Sequence, residues 1–112
     1  RNAGTLDSPT VQVRAENPVC GDILELSANV ASGRIHEIRF QARGCTASIA
    51  CGSATTVLLE GREVAELALI DPARIEAEVG GLETASKHAA RLCADGVKAL
   101  RTTIARLEGS GP

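Results

Sequence analysis

The sequence predicts an α+β fold: a three-stranded antiparallel meander covered on one face by helices, with a long C-terminal helix. Two patterns carry this. Residues 10–42 alternate apolar and polar positions and are broken only by short turn signals. From Cys45 onward, apolar residues recur instead at three- and four-residue spacing. Short connections join neighbouring strands antiparallel. A sheet with one polar face needs cover on the other.

Residues 1–9 are polar and turn-rich, with Gly4 and Pro9, and read as an extended lead-in. "TVQVRAE" (10–16) sets Val11, Val13 and Ala15 against polar neighbours as a first strand. The turn "NPVCGD" follows, and then "ILELSANV", with Leu24, Leu26, Ala28 and Val30 on one face. Ser32-Gly33 is the next turn. "RIHEIRFQA" places Ile38, Phe40 and Ala42 together as a third strand. In "CTASIACGSATTVLLEG", Ala47, Cys51, Ala54 and Leu58 form one helical stripe ending near Gly61. A short helix is expected at 62–69. Pro72 breaks the path into another at 73–78, and Gly80-Gly81 is a hinge or turn. The longest helix runs from a Thr84 cap to about Leu107, with Ala85, Ala89, Cys93, Val97, Leu100, Ile104 and Leu107 at helical spacing. Residues 108–112 read as a frayed tail.

A chain of 112 residues suits one domain, in which folding buries roughly 65% of the unfolded surface. Apolar residues make up 44%, and Phe40 is the single aromatic residue, so the core is aliphatic. Without aromatic platforms, and with a net charge of −2 and dispersed cations, nucleic acid is not an expected partner. No apolar run approaches the roughly 20 residues of a membrane span. The chain opens on Arg1 without a signal-peptide pattern or an initiator methionine, which suggests that a few residues precede it. The expected localisation is cytoplasmic.

In that compartment the four cysteines, Cys20, Cys45, Cys51 and Cys93, point to metal or thiolate chemistry rather than disulfides. Cys45 stands where strand three yields to a helix, and a helix N-terminus lowers a thiol's pKa. The Cys20 turn lies at the same end of a meander. Cys93, on the inward stripe of the long helix, could bring a third thiol to that edge. Three thiols and the Asp22 carboxylate would then make a small site, and thiolates select zinc, Cu(I) or iron–sulfur clusters. Each cysteine could equally be an inert core residue. For Cys51 the stripe favours that reading, with an auxiliary role near the site as the alternative. Asp22 either ligates a metal or caps its turn by accepting a backbone N–H. His36 is expected to be solvated. His88 precedes Cys93 by five residues, an offset of roughly 140° around a helix, and is not expected to share that cysteine's face.

Three segments together, "NPVCGD", "GCTASIACGSATT" and "RLCADGVKAL", resemble in order and approximate spacing the cysteine motifs of the IscU/NifU/SufU-like iron–sulfur cluster assembly scaffolds. The opening "RNAGTLDSP" is similar to the family's N-terminal segment, so the resemblance covers nearly the whole chain as a single scaffold domain, 1–112. It implies that Cys20, Cys45 and Cys93 bind a nascent [2Fe–2S] cluster or zinc and accept sulfur, and that Asp22 is the family aspartate that can ligate metal. It implies a cysteine desulfurase, an iron donor and apo iron–sulfur proteins as partners, and a scaffold rather than an enzyme. Cys93, at the rim of the long helix, is the expected sulfur acceptor.

Three departures stand out. Leu92 occupies the position before the third cysteine, where IscU types carry histidine and SufU types usually lysine. "SKHAAR" replaces the Leu-Pro-Pro-Val-Lys segment that engages a dedicated Hsp70 chaperone, so that partner is not implied. Cys51 stands at a position that is commonly serine. The fourth ligand is left among Asp22, Cys51, His88 and an outside group. Two further readings remain open: a zinc-dependent sulfur-transfer protein, and a non-catalytic zinc-stabilised interaction module.

Overall fold

The computed structural model describes residues 2–18 and 21–109. The alternating segments form strands β1 (Val11–Glu16), β2 (Ile23–Ala31) and β3 (Arg34–Arg43) in one antiparallel sheet of order β1-β2-β3. Register follows from burial. Val13, Leu26 and Phe40 face one another across the three strands, as do Val11, Ala28 and Ile38. All six are buried. A one-residue slip would turn these side chains to solvent. Ser32 and Gly33, both at positive φ (54° and 72°), make the tight β2–β3 turn. A register shift at Asn29/Val30 re-aims the start of β3, so Ile35 also points inward and is fully buried. The lead-in does more than extend: Ala3 bridges Phe40 in parallel, and Gly4 N–H donates to the Phe40 carbonyl at 2.8 Å. This pairing shields part of the exposed edge of β3.

Helix α1 (Thr46–Leu59) covers β3, and the long helix α3 (Lys87–Gly109) covers β1 and β2. Both approach closely through glycine. A Cβ on Gly52 would lie 2.6 Å from the Phe40 ring, and one on Gly96 would lie 2.8 Å from Leu24. Between these helices run a 3₁₀ turn (Val64–Leu69), α2 (Pro72–Glu78) and a second 3₁₀ turn (Thr84–Ser86). Pro72 opens α2 rather than preceding it. Its missing N–H is harmless at a first helical position, and Asp71 caps the turn by accepting from Arg74 N–H at 2.8 Å.

Thr84 is not the cap of α3, which begins three residues later. The connection is organised instead by Glu76 on α2, whose Oε1 accepts from Leu82 N–H at 3.2 Å and from Lys87 Nζ at 2.9 Å. The predicted stripe of α3 is buried from Ala89 to Ile104, but Ala85 and Leu107 at its ends are exposed. Residues 110–112 of the expected frayed tail lie outside the described residues, and α3 continues through Gly109.

Gly52→Ala should force the buried Phe40 ring aside. Overpacking of this kind costs about 1–3 kcal/mol, so guanidinium unfolding should show a lower midpoint. Adding Phe40→Leu should recover part of the loss.

Candidate metal centre

The first turn signal, Asn17 to Asp22, closes on itself: Gly21 N–H donates to the Asn17 carbonyl at 2.7 Å, and Asn17 N–H to the Asp22 carbonyl at 2.8 Å. This delivers Asp22, 7% exposed, to the end of the sheet where β3 runs into α1. There Gly44 adopts φ +144°, and a Cβ on it would lie 2.4–2.6 Å from the Asp22 carboxylate atoms. Only glycine lets the carboxylate pack against that backbone. Cys45 is the N-cap of α1, with its carbonyl accepting from Ser48 N–H at 3.0 Å, and its thiol is exposed.

Ser48 Oγ donates to Asp22 Oδ2 at 2.7 Å and lies 3.5 Å from Cys45 Sγ. His88, in the first turn of α3, completes the group. Its Nε2 is 3.6 Å from Cys45 Sγ and 3.4 Å from Asp22 Oδ2, and the thiol-to-carboxylate distance is 3.7 Å. His88 Nδ1 faces the Ala85 carbonyl at 3.1 Å. A carbonyl can only accept, so Nδ1 carries a proton; Nε2 faces the thiol and the carboxylate, donating to them when the ring is protonated and offering its lone pair to a metal once that proton is lost. A backbone carbonyl fixing the ring in this way is the usual support of a metal-bound histidine.

The electrostatics agree with this geometry. The Ser48 hydroxyl, followed by the Cys45 backbone N–H, holds the Asp22 carboxyl below its usual range despite burial. Cys45 is pulled below the usual thiol value, first by its contact with the Ser48 hydroxyl, whose single proton it shares with Asp22, and then by backbone N–H groups of the first turn of α1 and by His88. His88 is raised, chiefly by its hydrogen bond to Cys45 and also by the two negative charges facing it. Thiolate and carboxylate therefore stand ready at one point, with imidazole beside them.

A metal fits these donors. Bond lengths of roughly 2.0–2.3 Å around tetrahedral zinc give ligand-to-ligand edges of roughly 3.3–3.8 Å. The separations of 3.4, 3.6 and 3.7 Å fall within that range. Among the described residues, Asp22, Cys45 and His88 are the group whose donor atoms could hold a metal ion.

The other expected site residues lie elsewhere. Cys20, two positions before Asp22, is outside the described residues. Cys93 is not brought to the site. It is fully buried against α1, and burial pushes its thiol up to about 12, only partly opposed by a hydrogen bond with Thr55. Its inward stripe leads into the core rather than to the sheet edge. Cys51 is also fully buried, and burial raises its thiol. Leu92 is a core residue at 2% exposure, and His36 is exposed on β3.

His88, one of the candidate fourth ligands, is the one that meets Asp22 and Cys45. The 140° offset does separate it from Cys93, but His88 turns away from Cys93 toward the N-terminus of α1. The late start of α3 at Lys87 is the signal, because it places His88 in a first turn, beside Cys45 in the cap of another helix.

Residues 1–108 match the family described as the NifU-like N terminal domain. The nitrogen fixation protein NifU of Cereibacter sphaeroides is 39% identical over 109 residues, 97% of this chain and 43% of that protein. The iron–sulfur cluster assembly scaffold protein IscU 1 of Archaeoglobus fulgidus is 33% identical over 98 residues, 88% of this chain and 64% of that protein. The chain thus spans less than two thirds of either relative's length. In structure, the chain is similar to the N-terminal NifU-like protein of Brucella abortus, with a TM-score of 0.73 at 16% identity, covering 98% of this chain and 87% of that one. At that identity the likeness shows the fold: an antiparallel three-stranded sheet with helices and a long C-terminal helix. With nearly its whole length matched, the chain belongs to the NifU-like N-terminal domain family, among the IscU/NifU/SufU iron–sulfur cluster assembly scaffolds.

Proposed function

We propose that the chain is a scaffold on which a [2Fe–2S] cluster is assembled from iron and desulfurase-derived sulfur, then passed to apo-proteins. The observation that carries this is the Asp22–Cys45–His88 triangle, with tetrahedral edge lengths, in a chain of this family. Cys45, Asp22 and His88 hold the incoming iron, and Cys20, two positions from Asp22, supplies a second thiolate. Cys93 is left out of the ligand set because its thiol is buried and protonated. The family histidine stands directly before its third cysteine. With His88 as that histidine, the next residue is the buried Ala89, and Cys93 lies one helical turn further on. The missing third thiol, rather than Leu92, is then the departure that matters. Thiolates hold iron and relay sulfane sulfur, and a carboxylate oxygen among them keeps the cargo labile.

Sulfur enters at Cys45, in place of the Cys93 suggested by the sequence. The Cys45 thiolate attacks the outer sulfur of a desulfurase persulfide. A new S–S bond forms on Cys45, the old one breaks, and the desulfurase cysteine leaves as thiolate. Reducing that sulfane sulfur to sulfide takes two electrons from an external thiol or ferredoxin-class reductant. The localisation we propose is cytoplasmic, and the partners are a cysteine desulfurase, an iron donor and apo iron–sulfur proteins. The same three donors suit zinc, which favours a second reading, a zinc-dependent persulfide acceptor that uses the same thiolate.

Anaerobic incubation with iron, cysteine and a desulfurase should produce thiolate-to-iron absorption in the visible range. Cys45→Ser should abolish it, and Cys93→Ala should leave it. Absence of the band in the unaltered chain, together with tight stoichiometric zinc after purification, would select the zinc reading. Asp22→Ala should lengthen the lifetime of an assembled cluster.

Thiol reactivity should divide in the same way. Iodoacetamide on the native, metal-free protein should label Cys45 and spare Cys51 and Cys93 until guanidinium unfolds the chain, as read by mass spectrometry. Metal binding must displace protons. Affinity for zinc should therefore rise with pH and level off only above the ordinary imidazole value of 6.5, because His88 is raised. Cys45, lowered from the ordinary 9.0, should not extend that rise to 9.0.

A further inference from the structure

Ser48 is 1% exposed and sits in the first turn of α1. A buried hydroxyl inside a helix ordinarily bonds back to a carbonyl three or four residues earlier. Two neighbours do this: Thr55 donates to the Cys51 carbonyl and Thr56 to the Ser53 carbonyl, both at 2.7 Å. Ser48 instead reaches out of its helix to Asp22 Oδ2, 26 residues away in sequence, at 2.7 Å. The oxygen it binds is the one that faces Cys45 Sγ and His88 Nε2. The carboxylate also lies against Gly44, where a Cβ would come within 2.4–2.6 Å of its atoms. A glycine with no side chain thus leaves it room, and a serine supplies a proton.

We infer that Ser48 is a positioning residue for the metal centre, acting through Asp22: its hydroxyl fixes Oδ2 at the third corner of the Cys45–His88–Asp22 triangle. The inference rests on the reading of this triangle as a metal site. Ser48 does not replace a ligand. It sets the direction of one, and its 3.5 Å contact with Cys45 Sγ ties that direction to the thiol. Partners that orient a ligand typically change metal affinity by about 10–100-fold when removed.

Co(II), whose thiolate charge-transfer band reports binding directly, is the probe. Titrated into the metal-free protein, Ser48→Ala should bind about 10–100-fold more weakly than the unaltered chain. Ser48→Thr, which keeps a hydroxyl at this position, should bind more tightly than Ser48→Ala. In an Asp22→Ala background, Ser48→Ala should cost less than it does in the unaltered chain, leaving only its contact with Cys45 Sγ. Equal affinities for the unaltered chain and Ser48→Ala overturn the inference, as does a threonine variant no better than alanine, or an undiminished loss in the Asp22→Ala background. If Ser48→Ala does not fold, comparing Ser48→Thr with and without Asp22→Ala measures the same coupling. No thiolate-to-cobalt band in the unaltered chain overturns the metal-site reading itself, and the inference with it.

Discussion

The buried carboxylate of Asp22, hydrogen-bonded to the first turn of α1, is the contact on which the site depends. A carboxylate at 7% exposure is costly unless it is well hydrogen-bonded. Here Ser48 and the Cys45 backbone N–H satisfy it, and the positive end of the helix favours its charge. The same contact binds the turn before β2 to the exit of β3. It fixes the mouth of the sheet where the chain enters its first helix.

Other features of this end of the molecule follow from that constraint. Gly44 must be glycine because the carboxylate occupies the place of its side chain. Cys45 must leave β3 at the cap of α1, which aims its sulfur along the first-turn amides and lowers its pKa. The histidine arrives from a separate helix. Its Nδ1 is committed to the Ala85 carbonyl, so only Nε2 is free to face two anions. Three elements far apart in sequence thereby place one sulfur, one oxygen and one nitrogen within 4.8 Å of one another.

The sheet was legible because strand periodicity is local: each of Val11, Leu24, Ile38 and their partners declares its face by its neighbours alone. The same holds for the stripe of α1, where Cys51 falls with Ala54 and Leu58 in the core. The site was legible only in part. Cys45 and Asp22 sit in turn chemistry that marks them as special, whereas an inward stripe cannot say whether its residues reach a site or a core. Cys93 shares its stripe with Val97 and Leu100, and all three are buried. His88 was only one of four candidates for a fourth ligand, and Ser48 was not singled out, for a different reason. Their roles depend on where α3 begins and how the ends of two helices meet, and neither is encoded in spacing along one segment.

The four thiols are thus divided by burial. Cys51 and Cys93 lie in the core, with both thiols raised, so as deprotonated ligands they compete poorly with Cys45 for metal. Moving one of them into the site would cost both packing and proton removal. What remains at the sheet end is a poorer donor set than three thiolates, and one of its members, Asp22 Oδ2, already spends electron density on the Ser48 hydroxyl. A metal bound there would share that oxygen with the hydroxyl. The bond that holds the carboxylate in place also sets the direction in which its remaining lone pairs could meet a metal, so the interaction that builds this end of the sheet would orient the ligand as well.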